Sequence, residues 1–289
     1  MKLLMYHTDK QLKIGIVTEQ GIVDILAEAR RKHIEFASDQ KEFYQQASHW
    51  LTQIPAILES DIGSDNIYEE SSLTIAPIVP TPSKIVCIGL NYRRHALESN
   101  MVVPKTPILF SKFSNSIAGS GDVIPLPSSS QQCDYEAELV VVMGKTADNV
   151  SVENALDYVL GYCNGNDISA RDLQLLTSQW LLGKTLDKFL PIGPYLVTAD
   201  AIPNPQNLRI QTWYQGELRQ NSSTEDMVFS VAEIISYVSH YFPLQSGDII
   251  ATGTPEGVIL GDKNPKWMQA GDEVIIEIEG LGRLENKMG

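Results

Sequence analysis

Asp134-Tyr135-Glu136-Ala137-Glu138-Leu139-Val140-Val141-Val142-Met143 sets carboxylates at the head of an unbroken apolar run. The run reads as a buried strand. Residues two apart on a strand share a face, so Glu136 and Glu138 project the same way and Ala137 projects oppositely. Two carboxylates side by side at the mouth of a buried strand repel each other and are poorly solvated. A cation, a shared proton or exposure to water must offset that.

Around this strand the chain is punctuated by Gly and Pro. Further short strands are expected at Ile85–Ile88, Ile108–Ser111, Tyr195–Thr198, Leu208–Tyr214, Asp248–Thr252 and Glu273–Ile278. Helical spacing is expected at Tyr92–Glu98, Val152–Tyr158, Ala170–Thr177 and Val231–Tyr241. Strands and helices do not alternate regularly and no internal repeat is present. The fold class is therefore α+β, mixed and β-rich, rather than a doubly wound parallel sheet. Upstream, Leu3–Tyr6, Leu12–Val17 and Gly21–Ile25 read as strands and residues 27–60 as helical. Pro77, Pro80 and Pro82 then break the pattern. This divides the chain into a small N-terminal α/β domain, 1–76, and a main domain, 77–289.

The 289 residues are 43% hydrophobic and 20% charged, enough to bury an ordinary core. A formal net charge of −14 argues against a nucleic-acid partner, which needs a positive stripe, but not against an anionic substrate held by local cations. Cys87, Cys133 and Cys163 are odd in number and widely spaced, which suits a reducing compartment better than a disulfide framework. The apolar patch Met1–Tyr6 is too short for a signal peptide, and no run approaches membrane length. A soluble cytoplasmic protein without a membrane partner is expected.

A third carboxylate, Asp167, stands in Gly161-Tyr162-Cys163-Asn164-Gly165-Asn166-Asp167-Ile168-Ser169-Ala170-Arg171-Asp172-Leu173-Gln174, which reads as a turn before a helix. Its plainest role there is a turn residue or helix cap. Three carboxylates without a Cys or His pair would favour a hard cation, Mg²⁺ or Mn²⁺ ahead of Zn²⁺, with Ca²⁺ a further candidate. They would leave positions open for substrate oxygens. His95 and Glu98, three apart, share one face of a short helix. A carboxylate beside an imidazole orients it as a general base, although such a pair is most often a surface feature. Lys112 and Lys184 are solvated lysines in the plainest reading. Gly183-Lys184-Thr185 is no phosphate loop, since residue 178 is Ser178 and not the earlier glycine.

Five segments, in order, resemble the fumarylacetoacetate hydrolase family: Lys84–Glu98, Asp134–Lys145, Gly161–Gln174, Gly183–Pro194 and Gly247–Pro255. The resemblance covers about residues 84–289 and implies a mixed β-rich core of β-roll or sandwich type. It implies that Glu136, Glu138 and Asp167 ligate Mg²⁺ or Mn²⁺, and that His95 and Glu98 sit on a mobile lid and activate water or move a proton. Lys184 is implied as catalytic; Lys112, Gln174 and Thr254 as substrate contacts; and the assembly as a homodimer. The expected activity is metal-dependent hydrolytic C–C cleavage of an acylpyruvate-type 2-oxo acid. Decarboxylation or tautomerisation of oxaloacetate, or a hydroxymuconate-type isomerisation, is open to the same site. The competing class is a metal- or small-molecule-binding member without catalysis.

Overall fold

The run that opens the sequence reading becomes the central strand Ala137–Met143, buried along its whole length. This is a computed structural model, and it describes residues 1–8, 11–59 and 61–289. One core takes Leu139, Val141 and Met143. A second core takes Val140 and Val142, with Leu3, Phe43 and Trp50. Burial on both faces is why the run shows no alternation.

The strand lies inside a 12-stranded sheet. One neighbour is Val159–Asn166, antiparallel, with Ala137 opposite Asn166 and Glu138 opposite Gly165. The other is Ile249–Ala251, also antiparallel, which pairs in parallel with Ile85–Gly89. The sheet continues through Leu190–Thr198 into Lys2–His7, with Lys2 opposite Val197, so residues 1–76 share the sheet with the rest of the chain. A five-stranded sheet, with Arg209–Tyr214 and Glu273–Ile278 inside it, packs Ile210, Val274 and Ile276 into the first core. The helix Val231–Tyr241 adds Ile234, Ile235 and Val238 and starts in a capping box between Ser230 and Glu233.

The β-rich α+β expectation matches this architecture, and Ile108–Ser111 and Glu273–Ile278 form as expected. The helical stretch expected over 27–60 consists of short helices at Ile25–Arg31, Gln40–Gln45, Ala47–Leu51 and Ile54–Leu58; its last residue, Ser60, lies outside the described residues. Val152–Tyr158 is a 3₁₀ rather than an α-helix, and Ala170–Thr177 contracts to Arg171–Gln174. The largest departure is Val159–Asn166, a strand where turn-like composition pointed to a bend. Its amides are bonded between elements: Asn164 Nδ2 donates to Gly282 O (3.0 Å), and Asn164 Oδ1 accepts from Ile278 N (2.8 Å). Asn166 Oδ1 accepts from Glu136 N at 3.0 Å. Tertiary hydrogen bonds here outweigh the local preference of Asn and Gly for turns. No helix among the described residues is long and apolar enough to cross a membrane.

Candidate metal centre and active site

Strand pairing assembles the carboxylates. Asp167 follows the last residue of Val159–Asn166, and its N–H donates to Glu136 O at 2.9 Å, which sets it beside the head of the central strand. Glu136, Glu138 and Asp167 are 5%, 1% and 0% exposed. Their potential ligand atoms lie within 4.8 Å of one another.

Two of the three have internal counter-charges. Lys184 Nζ donates to Glu136 Oε2 (2.7 Å) and Asp167 Oδ2 (2.8 Å). Lys112 Nζ donates to Asp167 Oδ1 (2.5 Å) and to Ile168 O (3.1 Å). Arg171 Nη2 lies 2.8 Å from both Glu136 Oε1 and Asp134 Oδ2. Burial works against the Glu136 carboxylate, but Lys184 and Arg171 outweigh it and hold its pKa down at about 2. Burial lowers the Lys112 pKa, with Asp167 opposing. Lys184 is pushed up despite burial, because Asp167 and Glu136 both favour its charged form.

Glu138 is different. Among the described residues its side chain meets one donor, the Gly253 N–H at 2.8 Å. Burial, then the charges of Asp167 and Glu136, raise its pKa well above the carboxylate range. Four carboxylates, counting Asp134, face three cations in this cluster. A divalent cation against Glu138 would supply the missing positive charge and leave a surplus of one for an anionic ligand. The all-oxygen donor set suits a hard cation such as Mg²⁺ or Mn²⁺. The residues present therefore fit a divalent metal.

The loop after Ile249–Ala251 is built for that contact. Gly253 has φ +97°, and a Cβ there would fall 2.8 Å from Asn91 Cβ, so glycine is required both for conformation and for space. Asn91 anchors the loop through Thr252 O at 2.8 Å. The Thr254 hydroxyl accepts from Gln220 Nε2 at 2.8 Å, and Gln220 Oε1 accepts from Ala137 N at 3.0 Å.

A cavity of about 370 Å³ opens onto Glu136, Glu138, Lys184, Gln174 and Thr254. His95 and Glu98 line it as well, carried by the helix Arg93–Glu98 that follows the strand Ile85–Gly89. His95 is 6% exposed, and its Nδ1 stands 3.5 Å from Glu98 Oε2. Glu98 is fixed from the other side by the Gly257 N–H at 3.0 Å. Leu175, Trp180, Phe110, Met101 and Leu260 give the cavity an apolar wall. Trp180 rests against the bare backbone of Gly89, where a Cβ would fall 2.3 Å from its ring.

Seven of the nine residues singled out from sequence thus line one cavity; Asp167 joins them through the carboxylate cluster and Lys112 through its bond to Asp167, and neither of these two is part of the cavity wall. Sequence reasoning assigned no role to Arg171, Asp134 or Gln220. Arg171 carried one usable signal, an arginine directly after small residues and four positions past Asp167. Gln220 carried none.

A family model described as fumarylacetoacetate (FAA) hydrolase C-terminal matches residues 84–288. A Xenopus laevis protein named oxaloacetate tautomerase fahd2, mitochondrial, is 44% identical over 248 residues, 85% of this chain and 77% of that protein. The solved fumarylacetoacetate hydrolase from psychrophilic Exiguobacterium antarcticum is similar with a TM-score of 0.84 at 34% identity, over 100% of this chain and 99% of that one. Maleylpyruvate hydrolase from Sphingobium sp. SYK-6, solved in complex with manganese (II) ion and pyruvate, gives 0.80 at 28% identity over 100% and 98%.

Proposed function

The chain belongs to the fumarylacetoacetate hydrolase family, and from that premise we propose that it enolises a short 2-oxo acid in a metal-dependent reaction, the keto–enol interconversion of oxaloacetate foremost. The observation that carries this reading is a buried carboxylate trio, two members of which, Glu136 and Glu138, line one cavity with the His95–Glu98 pair. Glu136, Glu138 and Asp167 would hold Mg²⁺ or Mn²⁺. That cation supplies Lewis-acid stabilisation of negative charge on the 2-oxo oxygen.

The chain's own residues do the rest. Lys184 spends two of its three N–H donors on Glu136 and Asp167, which leaves one for the enolate oxygen. His95 takes the proton from the carbon beside the oxo group, or returns it, while Glu98 orients the ring. Their 3.5 Å separation is long for a hydrogen bond, as in many catalytic pairs before substrate tightens them. Thr254 and Gln174 are offered to the substrate carboxylate, and Lys112 holds Asp167 in place as a counter-charge. The name of the Xenopus relative supports oxaloacetate.

One observation favours a second reading, hydrolysis of an acylpyruvate. The wall of Phe110, Trp180, Leu175 and Leu260 suits an acyl group better than a second carboxylate. His95 would then deprotonate a water that attacks the distal carbonyl. The test is to follow the decay of enol-oxaloacetate and the cleavage of acylpyruvates with Mn²⁺ and with chelator. Chelator-sensitive acceleration of the enol decay supports the first reading. Cleavage without tautomerisation would move the assignment to the second, and silence on both would favour a binding protein.

A further inference from the structure

Asp134 has no place in the chemistry just described, yet it is fully buried and saturated with donors. Arg171 approaches it through Nε (2.9 Å) and Nη2 (2.8 Å), and the N–H groups of Ile259 (2.8 Å) and Leu260 (3.0 Å) donate to its two oxygens. Each contact leads to a different half of the site. Arg171 reaches onward to Glu136 Oε1 at 2.8 Å and to Gln174 Oε1 at 3.0 Å. The segment 257–261 underlies the dyad: Gly257 N–H holds Glu98, and a Cβ on Gly261 would fall 2.4 Å from the Glu98 carboxyl carbon. Only a residue without a side chain lets the Glu98 carboxylate lie this close.

We propose that Asp134 is a positioning residue that couples the carboxylate trio to the His95–Glu98 pair, through Arg171 on one side and the Ile259–Leu260 backbone on the other. A guanidinium is planar and presents its donors in a fixed fork. With Nε donating to Asp134, the Nη2 that ion-pairs with both carboxylates is held in place, and its charge restrains the Glu136 carboxylate. Asparagine at 134 keeps an acceptor for the Ile259 N–H but turns an amide, donor against donor, towards Arg171 and the Leu260 N–H, which share the other oxygen. The links to Arg171 and Leu260 are lost together, while the volume is conserved.

The experiment reads Mn²⁺ affinity by calorimetry on the chelator-stripped full chain, and turnover at saturating Mn²⁺. Asp134→Asn is expected to weaken Mn²⁺ about tenfold, the scale seen when an outer partner of a metal ligand is lost. It should also lower kcat about tenfold with KM within about threefold, a split that general loosening of the fold would not give. Arg171→Lys, which cannot bridge two carboxylates in a plane, should weaken Mn²⁺ similarly. The double variant should then be within about twofold of Arg171→Lys alone. Wild-type Mn²⁺ affinity in Asp134→Asn, or losses that multiply in the double variant, would overturn the proposal. Should Asp134→Asn not fold, Asp134→Glu, which retains the charge on Arg171, takes its place in the same cycle, with the same outcomes deciding. The kinetic arm rests on the proposed reaction. The Mn²⁺ arm does not, so inactivity on every 2-oxo acid would sink that reading and leave this one to be decided by affinity.

Discussion

Replacing Glu138 by Gln should make the metal-free protein more stable while removing its response to metal. Glu138 is 1% exposed, has Gly253 N–H as its one donor among the described residues, and lies beside two further carboxylates. Its folded pKa is raised well above the usual 4.5 by burial first and the charges of Asp167 and Glu136 second. Below about pH 4.5 both the folded and the unfolded chain hold this proton, so it does not affect stability. Above that pH the folded chain keeps a proton that the unfolded chain gives up. Stability then falls by about 1.4 kcal/mol per pH unit until the folded pKa is reached. For a chain of this size that is about 3 °C in Tm per pH unit. Glutamine keeps an oxygen for the Gly253 N–H and carries no charge, so it removes this slope. Differential scanning fluorimetry of chelator-treated protein from pH 5 to 8 measures both curves. Their difference isolates Glu138, because burial of Asp134 and Lys112 shifts those groups in both proteins. Added Mn²⁺ should raise the wild-type Tm and leave Glu138→Gln nearly unmoved. A variant no more stable than wild type at pH 7.5 without metal, or an equal Mn²⁺ response in both, would refute the reasoning.

His95→Ala should leave Mn²⁺ affinity within about threefold while lowering turnover by about 10²–10⁴, the usual worth of a general base; calorimetry and steady-state kinetics on one preparation check it. Lys184→Met leaves Glu136 and Asp167 short of their shared ammonium, and should destabilise the metal-free protein by about 3–5 kcal/mol in urea unfolding, with Mn²⁺ restoring part of the loss. Gly253→Ala forces a Cβ against Asn91 at φ +97° and displaces the N–H held by Glu138. It should cost about 1–3 kcal/mol and weaken Mn²⁺, read by unfolding and calorimetry together. Trp180→Ala should raise kcat/KM for bulky 2-oxo acids relative to pyruvate-sized ones by about tenfold in a competition assay, because the ring closes the apolar wall over Gly89.

The glutamate pair was legible from residue spacing alone, because a strand's two-residue period admits one reading of Glu136 and Glu138. Asp167 was legible only with the resemblance. It joins Glu136 through the pairing of two strands, and one of those strands was read as a turn from its Asn and Gly content. Those asparagines act across the fold, on Ile278, Gly282 and Glu136, and no local pattern encodes such partners. For the same reason Arg171 and Gln220 went unassigned: each is defined by what it bridges. Strands that bury one face showed as alternation, but Gly282–Met288 escaped notice because one of its inward positions is Asn286, bonded to Gly119 O and Asp122 O.

The pairing of Lys2–His7 with Leu190–Thr198 bears on how the chain is made as well as on how it stands. Lys2–Leu4 meet Tyr195–Val197, so this half of the strand's second edge waits for nearly two hundred residues to be covered, whereas Met5–His7 are covered by Thr74–Ala76. Over that interval Leu3 and Leu4, both fully buried at the end, pair on one edge with the hairpin strand Leu12–Thr18 while their other edge awaits Leu190–Thr198. An apolar edge held open this long invites pairing with other chains. Closure of the sheet is thus a late, long-range step, and the strand Lys2–His7 is where a refolding chain most needs protection.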